Sequence, residues 1–245
     1  MKKLGLLGKN ISYSFSENYF TNKFKNQKID TAFSYENFDI QNIENFSTIL
    51  KNNPELIGLN VTIPYKEAII PFLDELSENA QKIGAINTIK ISANGKLFGD
   101  NTDFFGFNKS LEPLLKPHHK KALILGTGGA AKAVAFGLKK LNIDSIFVSR
   151  QKKENTITYN QIDSKTFDEY QIIINCTPLG TFPKTELLPD IPYQYFTSKH
   201  IAFDLIYNPE ETLFLQKAKN QGAITKNGND MLVFQAENAW EIWNK

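Results

Sequence analysis

Apolar residues in the first hundred positions come in short runs, separated by longer stretches in which they recur at helical spacing. Residues 4–7 read as a strand, 17–24 as a helix, 32–38 as a strand and 43–50 as a helix. A buried strand is predicted at 56–62, then a short helix at 65–73 interrupted by Pro71, and a further helix at 77–83 ending at Gly84. Residues 86–91 and 96–98 flank Asn94 and Gly95, a pair that accepts positive φ and so signals a hairpin. A hairpin within αβ alternation makes the first sheet mixed. Residues 104–115 read as a helix, and 116–121 reset the chain with proline and charge before a strand at 122–125. A glycine loop, a helix at 130–141 and strands at 145–149, 172–175 and 201–205 then form the succession of a parallel, nucleotide-binding sheet. The last helices are predicted at 212–221 and 230–243, the final one placed to pack back on the first part of the chain.

Composition narrows this picture to a soluble α/β protein. With 245 residues the chain has room for two domains of modest size, and 41% hydrophobic with 22% charged residues is an ordinary globular balance. A net charge of +2 gives no basic field for nucleic acid or an anionic membrane, so phosphate binding has to be local. The single cysteine, Cys176, excludes an internal disulfide framework and a zinc cluster and fits a reducing cytoplasm. The initial MKKLGLLGKN ends its apolar run too early for a signal peptide and reads as a first strand. No stretch reaches the roughly 18 apolar residues of a membrane span. His118 and His119, in a polar connector, read as solvated residues and not metal ligands.

Three segments carry candidate chemistry. NVTIPYK, residues 60–66, puts Lys66 just past a strand end among uncharged hydrogen-bonding side chains, and GDNTD, residues 99–103, puts Asp103 at another. Together they suggest a lysine–aspartate pair facing a nicotinamide. GTGGAA, residues 126–131, follows a strand and opens a helix rich in alanine, the setting in which glycines let the backbone approach a pyrophosphate. Roughly 20 residues on, where an acidic side chain would hold an NAD ribose, stand Ser149, Arg150, Gln151, Lys152 and Lys153. This cationic cluster favours the 2′-phosphate of NADP, with Arg150 able to form a forked contact. In SYSFS, residues 12–16, an extended backbone would put Ser12, Ser14 and Ser16 on one face, fit for a polyol, and Ser16 also suits the N-cap of a helix starting at Glu17.

The motifs SYSFS, GLNVTIPYKE (58–67), IGAINT (83–88), GDNTDFFG (99–106), GTGGAAKA (126–133), NCTPLG (175–180), DLIYNPEET (204–212) and MLVFQA (231–236) occur in order over nearly the whole chain. In this the chain resembles the shikimate dehydrogenase family of the aromatic amino-acid pathway. The resemblance implies a substrate-binding catalytic domain of residues 1–103 plus 228–245, with a mixed, mainly parallel sheet. Residues 104–227 would form a Rossmann-like NADP-binding domain. It implies NADP-dependent, reversible reduction of 3-dehydroshikimate to shikimate, with Lys66 and Asp103 as the catalytic pair. Ser14, Ser16, Thr62, Asn87 and Gln235 would hold the substrate carboxylate and ring hydroxyls, with Tyr207 nearby. Gly126, Gly128, Gly129 and Ala130 would line the pyrophosphate, Ser149 and Arg150 the adenosine phosphate, and Thr177, Gly228 and Met231 the route to the nicotinamide. The sequence departs from the family where Tyr13 replaces the usual histidine and Glu17 the usual proline, and where Ser149 and Gln151 flank Arg150 in place of asparagine and threonine. Quinate or dual quinate/shikimate oxidation is the alternative within the enzyme class, and a silent NADP- or shikimate-binding regulator the alternative outside it. No partner beyond small molecules is implied, and monomer and homodimer both stay open.

Overall fold

The protein is described from a computed structural model covering residues 1–11 and 15–245. It divides into two compact units, Met1–Thr102 with Ala236–Lys245, and Asp103–Gln235.

The first unit is built on strands β1 (Lys2–Gly8), β2 (Phe33–Asp39), β3 (Leu56–Val61), β4 (Glu75–Leu76), β5 (Thr88–Ile91) and β6 (Leu97–Asp100), in the order β2-β1-β3-β5-β6-β4. β1 is parallel to β2 and β3, β5 is antiparallel to β3 and β6, and β4 is parallel to β6. The mixed sheet and its hairpin are as predicted. Apolar side chains point to both faces because both are covered, so β1 reads as a continuous apolar run and does not alternate. Leu4 and Leu6 pack with Phe20 and Phe24 of helix α1 (Phe15–Asn26) and with Ala236, Ala239 and Trp243, while Leu7 packs with Leu59, Val61, Ile69 and Ile86 on the other side. The Trp243 indole N–H donates to the Ile89 carbonyl at 3.0 Å, tying the chain's last turns to this sheet. Helices α2 (Phe46–Asn52), α3 (Tyr65–Ala68) and α4 (Glu78–Ile83) complete the unit. The interruption expected at Pro71 is present: α3 is four residues long, and a separate 3-10 turn holds Ile70–Phe72.

The second unit opens with α5 (Asp103–Leu111) and has six parallel strands: β7 (Lys121–Leu125), β8 (Asp144–Ser149), β9 (Thr156–Thr158), β10 (Ile172–Asn175), β11 (Ile201–Asp204) and β12 (Ile224–Lys226). Their order is β12-β11-β10-β7-β8-β9. Numbered from β7, this is the doubly wound order 3-2-1-4-5-6, whose ligand crevice lies where the winding reverses, between β7 and β10. Alternate residues of these strands feed opposite layers. Ala122, Ile124, Ile172 and Ile174 share one core with Val134 and Leu138 of α6 (Gly129–Lys140). Leu123, Leu125 and Ile173 share the other with Phe167 of α7 (Ser164–Glu169) and Phe214 of α8 (Leu213–Asn220). Helix α9 (Asn229–Asn244) follows, its last residues belonging to the first unit.

Four elements were not predicted: β4, β9, β12 and α7. The strands have two or three residues at the rims of their sheets, too short to carry a period, and α7 (SKTFDE) buries only Phe167. His119 is also not solvated as expected. It is 3% exposed, accepts the Lys116 N–H on Nδ1 at 2.9 Å and contacts the Lys199 carbonyl through Nε2 at 3.0 Å, and burial lowers its pKa. Among the described residues no helix is long and apolar enough to cross a membrane.

Candidate active site

At one edge of the first sheet the carboxyl ends of β1, β3 and β6 meet the start of antiparallel β5. The Thr62 N–H donates to the Leu7 carbonyl at 2.9 Å, that of Val61 to Asn87 at 2.8 Å, and that of Asn87 to Asp100 at 3.1 Å. The Lys66 carbonyl accepts the Ile86 N–H at 2.7 Å, which pins α3 beside Asn87. On either side of Lys66 in sequence space, Tyr65 and Ile69 are buried, and the Tyr65 hydroxyl donates to the Ile40 carbonyl at 2.7 Å. Lys66 itself is half-buried. Thr62, Lys66 and Asn87, separated by up to 25 positions, are thus neighbours because three strand ends are in register.

The buried Asn87 amide is held on a threonine. Its Oδ1 accepts the Thr102 N–H at 2.7 Å, its Nδ2 donates to Thr102 Oγ1 at 2.9 Å, and Thr88 Oγ1 donates to Oδ1 at 3.0 Å. Thr102 was missed as a site residue, although its place in GDNTD was a signal. Asp103 follows it in the chain as the first residue of α5 and is buried.

Phe15 and Ser16 of the serine loop are among the described residues. Ser14, with Ser12 and Tyr13, lies outside the described residues. Ser16 is not an N-cap as expected: α1 begins at Phe15, so Ser16 sits in its first turn, buried, and donates to the Tyr35 hydroxyl. Tyr35 donates to Asn60 Oδ1 at 2.7 Å, and Asn60 Nδ2 donates to the Asn87 carbonyl at 3.3 Å. Burial raises the Tyr35 pKa well above the ordinary phenol value, so it stays a neutral donor in this relay. Ahead of the loop, the Asp39 carboxylate accepts the N–H groups of Asn10 at 3.0 Å and Ile11 at 3.1 Å. Tyr35 and Asp39 lie on β2 outside any motif, and nothing in sequence singled them out.

In the second unit the predicted strand, loop and helix are all present. Gly126 has φ +107°, in the left-handed region, and a Cβ there would lie 3.2 Å from the Cys176 carbonyl oxygen and 3.4 Å from Thr177 Cγ2. Gly128 precedes Gly129 and Ala130, the first residues of α6, whose opening amides point out of the helix. Thr177 follows β10, so Gly126 and Thr177 adjoin at the reversal point of the sheet. Val148 pairs with Leu125, which brings Ser149 and exposed Arg150 to the same edge.

The remaining expected residues come from the end of this unit. Tyr207 is 36% exposed, with its pKa raised by burial of the rest of the ring. Gly228 donates its N–H to the Ile206 carbonyl at 3.0 Å. Met231 is packed into the core with Phe107 and Phe203. Gln235 is buried and donates to the Leu232 carbonyl at 2.9 Å. Gly228 and Met231 therefore have packing roles that the sequence did not announce.

A dinucleotide phosphate fits this unit on three grounds. The winding order makes a crevice, Gly126 keeps it free of a side chain beside Thr177, and a cation stands past the neighbouring strand without a carboxylate.

Comparison with known proteins agrees. The family described as shikimate dehydrogenase substrate binding domain matches residues 6–89. A shikimate dehydrogenase (NADP(+)) of Methanosphaera stadtmanae is 38% identical over 98% of this chain and 90% of its own. The crystal structure of shikimate 5-dehydrogenase from Thermus thermophilus in complex with NADP(H) and shikimate superposes with a TM-score of 0.87 at 30% identity, covering 99% of this chain and 93% of that one. Quinate dehydrogenase from Corynebacterium glutamicum in complex with NAD has the same fold, with a TM-score of 0.83 at 26% identity over 99% and 93% of the two chains.

Proposed function

We propose, since this chain belongs to the shikimate dehydrogenase family, that its Lys66 and Asp103 manage the proton while shikimate and 3-dehydroshikimate are interconverted with NADP(H). When bound, NADPH supplies the hydride that reduces the ring ketone. The protein has to deliver a proton to the oxygen that becomes an alkoxide, and a positioned ammonium does this directly. Lys66 is the acid in reduction and the base in alcohol oxidation, and Asp103 orients it and the substrate hydroxyl. Supporting this reading above all is the meeting of Thr62, Lys66, Asn87 and Thr102 at one sheet edge.

Ser14, Ser16, Thr62, Asn87, Tyr207 and Gln235 take the carboxylate and hydroxyls of the substrate. Gly126, Gly128, Gly129 and Ala130 take the pyrophosphate, Ser149 and Arg150 the 2′-phosphate, and Thr177, Gly228 and Met231 the side toward the nicotinamide. The test is absorbance at the reduced-nicotinamide band, with NADP or NAD and with shikimate or quinate. Turnover fastest with NADP and shikimate is the expected result; a preference for quinate or NAD, or no turnover, overturns the assignment.

The relay from Ser16 through Tyr35 and Asn60 to Asn87 gives a second expectation. Tyr35→Phe removes one hydroxyl and leaves the ring packed on Phe20 at 4.8 Å. Ser16 then loses its acceptor and Asn60 its donor, a cost of about 1 kcal/mol. The KM for shikimate should rise about fivefold with the KM for NADP unchanged. Equal changes in both would show a general loosening of the fold instead.

A further inference from the structure

Asp204 ends β11 with no exposed surface, directly across from Asn175 at the end of β10. Its carboxylate accepts three hydrogen bonds: from Asn175 Nδ2 at 3.0 Å and the Ile206 N–H at 3.0 Å on Oδ1, and from Thr212 Oγ1 at 2.6 Å on Oδ2. Among the described residues no lysine or arginine pairs with it. Burial accordingly pushes its pKa up to about 7, against the pull of its three donors. A buried carboxyl without a cation is a poor way to gain stability, since apolar residues would fill the space at lower cost. Its use lies in what the carboxylate makes Asn175 do.

An amide has a donor end and an acceptor end, and Asp204 decides which way that of Asn175 faces. With Nδ2 directed at Asp204 Oδ1 and at the Leu179 carbonyl, at 3.3 Å, Oδ1 faces the loop after β10. There it accepts the Thr177 N–H at 3.0 Å and Thr177 Oγ1–H at 2.6 Å, and Thr177 Oγ1 in turn accepts the Leu179 N–H at 3.3 Å. The flipped amide would set Nδ2 against the Thr177 N–H at one end and Oδ1 against the Asp204 carboxylate and the Leu179 carbonyl at the other. Asp204 thus fixes the path of residues 176–179, and with it the face that Thr177 turns toward the Gly126 position. Thr212, the third donor's owner, is fully buried and caps α8 by accepting the Leu215 N–H at 3.3 Å, so the carboxylate rests on a fixed helix end.

We infer that Asp204 is a positioning residue for the dinucleotide: acting through Asn175, it holds the Thr177 loop as the wall of the cofactor crevice opposite the glycine loop. The inference rests on the reading that this crevice takes NADP. Its loss should weaken NADP binding far more than shikimate recognition, whose contacts at Ser16, Thr62 and Asn87 lie in the first unit.

The test compares Asp204→Ala with Asp204→Asn, by NADPH fluorescence titration and by steady-state kinetics in shikimate. Alanine removes all three acceptor contacts and frees the Asn175 amide, so the NADP dissociation constant and KM should rise about tenfold with the KM for shikimate within about twofold. Asparagine keeps an acceptor oxygen for Asn175 Nδ2 and the Ile206 N–H, and should restore NADP affinity to within about threefold. Folded Asp204→Ala with wild-type NADP affinity overturns the inference, and so does equal weakening toward both substrates. Should the alanine variant not fold, Asn175→Ala removes the transmitting amide: the same selective loss supports the inference, and unchanged NADP affinity overturns it. A wild-type protein that fails to bind NADP would overturn the cofactor reading itself, an outcome separate from one in which only the variants disagree.

Discussion

Replacing Lys66 by alanine is expected to lower turnover by roughly 100- to 10,000-fold, the range over which a positioned acid–base group accelerates a reaction. In free energy this is about 3 to 5 kcal/mol of transition-state stabilisation. The loss should be in kcat. Substrate contacts assigned to Thr62 and Asn87 stay in place, because they depend on the backbone ladder joining Leu7, Thr62, Asn87 and Asp100 and not on the lysine side chain. Folding should survive as well, since α3 is anchored by buried Tyr65 and Ile69 while Lys66 is half-buried between them in sequence. NADP affinity is expected to change by no more than about twofold, its contacts coming from other residues. Arginine at 66 keeps the charge but gives up its proton far less readily than an ammonium, so it should not restore turnover. Stopped-flow and steady-state assays with shikimate and NADP decide the point; near-normal turnover in Lys66→Ala sinks the assignment.

Much of this site was legible because it is built on strand ends with local signatures. The order strand, glycine, small-residue helix at 121–140 stated its own geometry, since only that order aims helix amides at a strand's exit. Lys66 stood out as the charge in an otherwise uncharged hydrogen-bonding run, and Asp103 as part of a carboxylate and amide cluster at a second strand end. What sequence could not show is which distant residues hold these in place. Tyr35 reads as one aromatic on a strand until β2 is registered against β1 and brings it to Asn60. Asp204 sits within a recognisable motif, yet its effect on Thr177 exists only because Asn175 stands opposite in the adjacent strand. The helix start at Phe15 and the burial of His119 escaped for a related reason. Capping and exposure were judged from neighbours in sequence, whereas Ser16 and His119 are satisfied by Tyr35 and Lys199.

Gly228 offers the sharpest separation between a cofactor contact and a packing requirement, the two roles open to it. A Cβ at this position would lie 2.1 Å from the Leu205 carbonyl oxygen and 2.6 Å from its carbon. Both atoms are backbone, so no side chain can swing away, and the Gly228 N–H is already committed to the Ile206 carbonyl at 3.0 Å. Gly228→Ala must therefore displace either the 205–207 segment that follows Asp204 or the start of α9, where Met231 is locked in the core. Overpacking of this kind costs about 3 kcal/mol at the upper end of its usual range. For a chain of this size that is a fall in melting temperature of roughly 6 to 12 °C. The fall should appear without any ligand, and NADP affinity should weaken with it, because the Asp204 network is bonded to the displaced segment through the Ile206 N–H. Calorimetry on the unliganded variant, followed by titration with NADP, separates the cases. Unchanged melting with weakened NADP binding would make Gly228 a contact for the cofactor alone, and the close approach to Leu205 would then carry no structural weight.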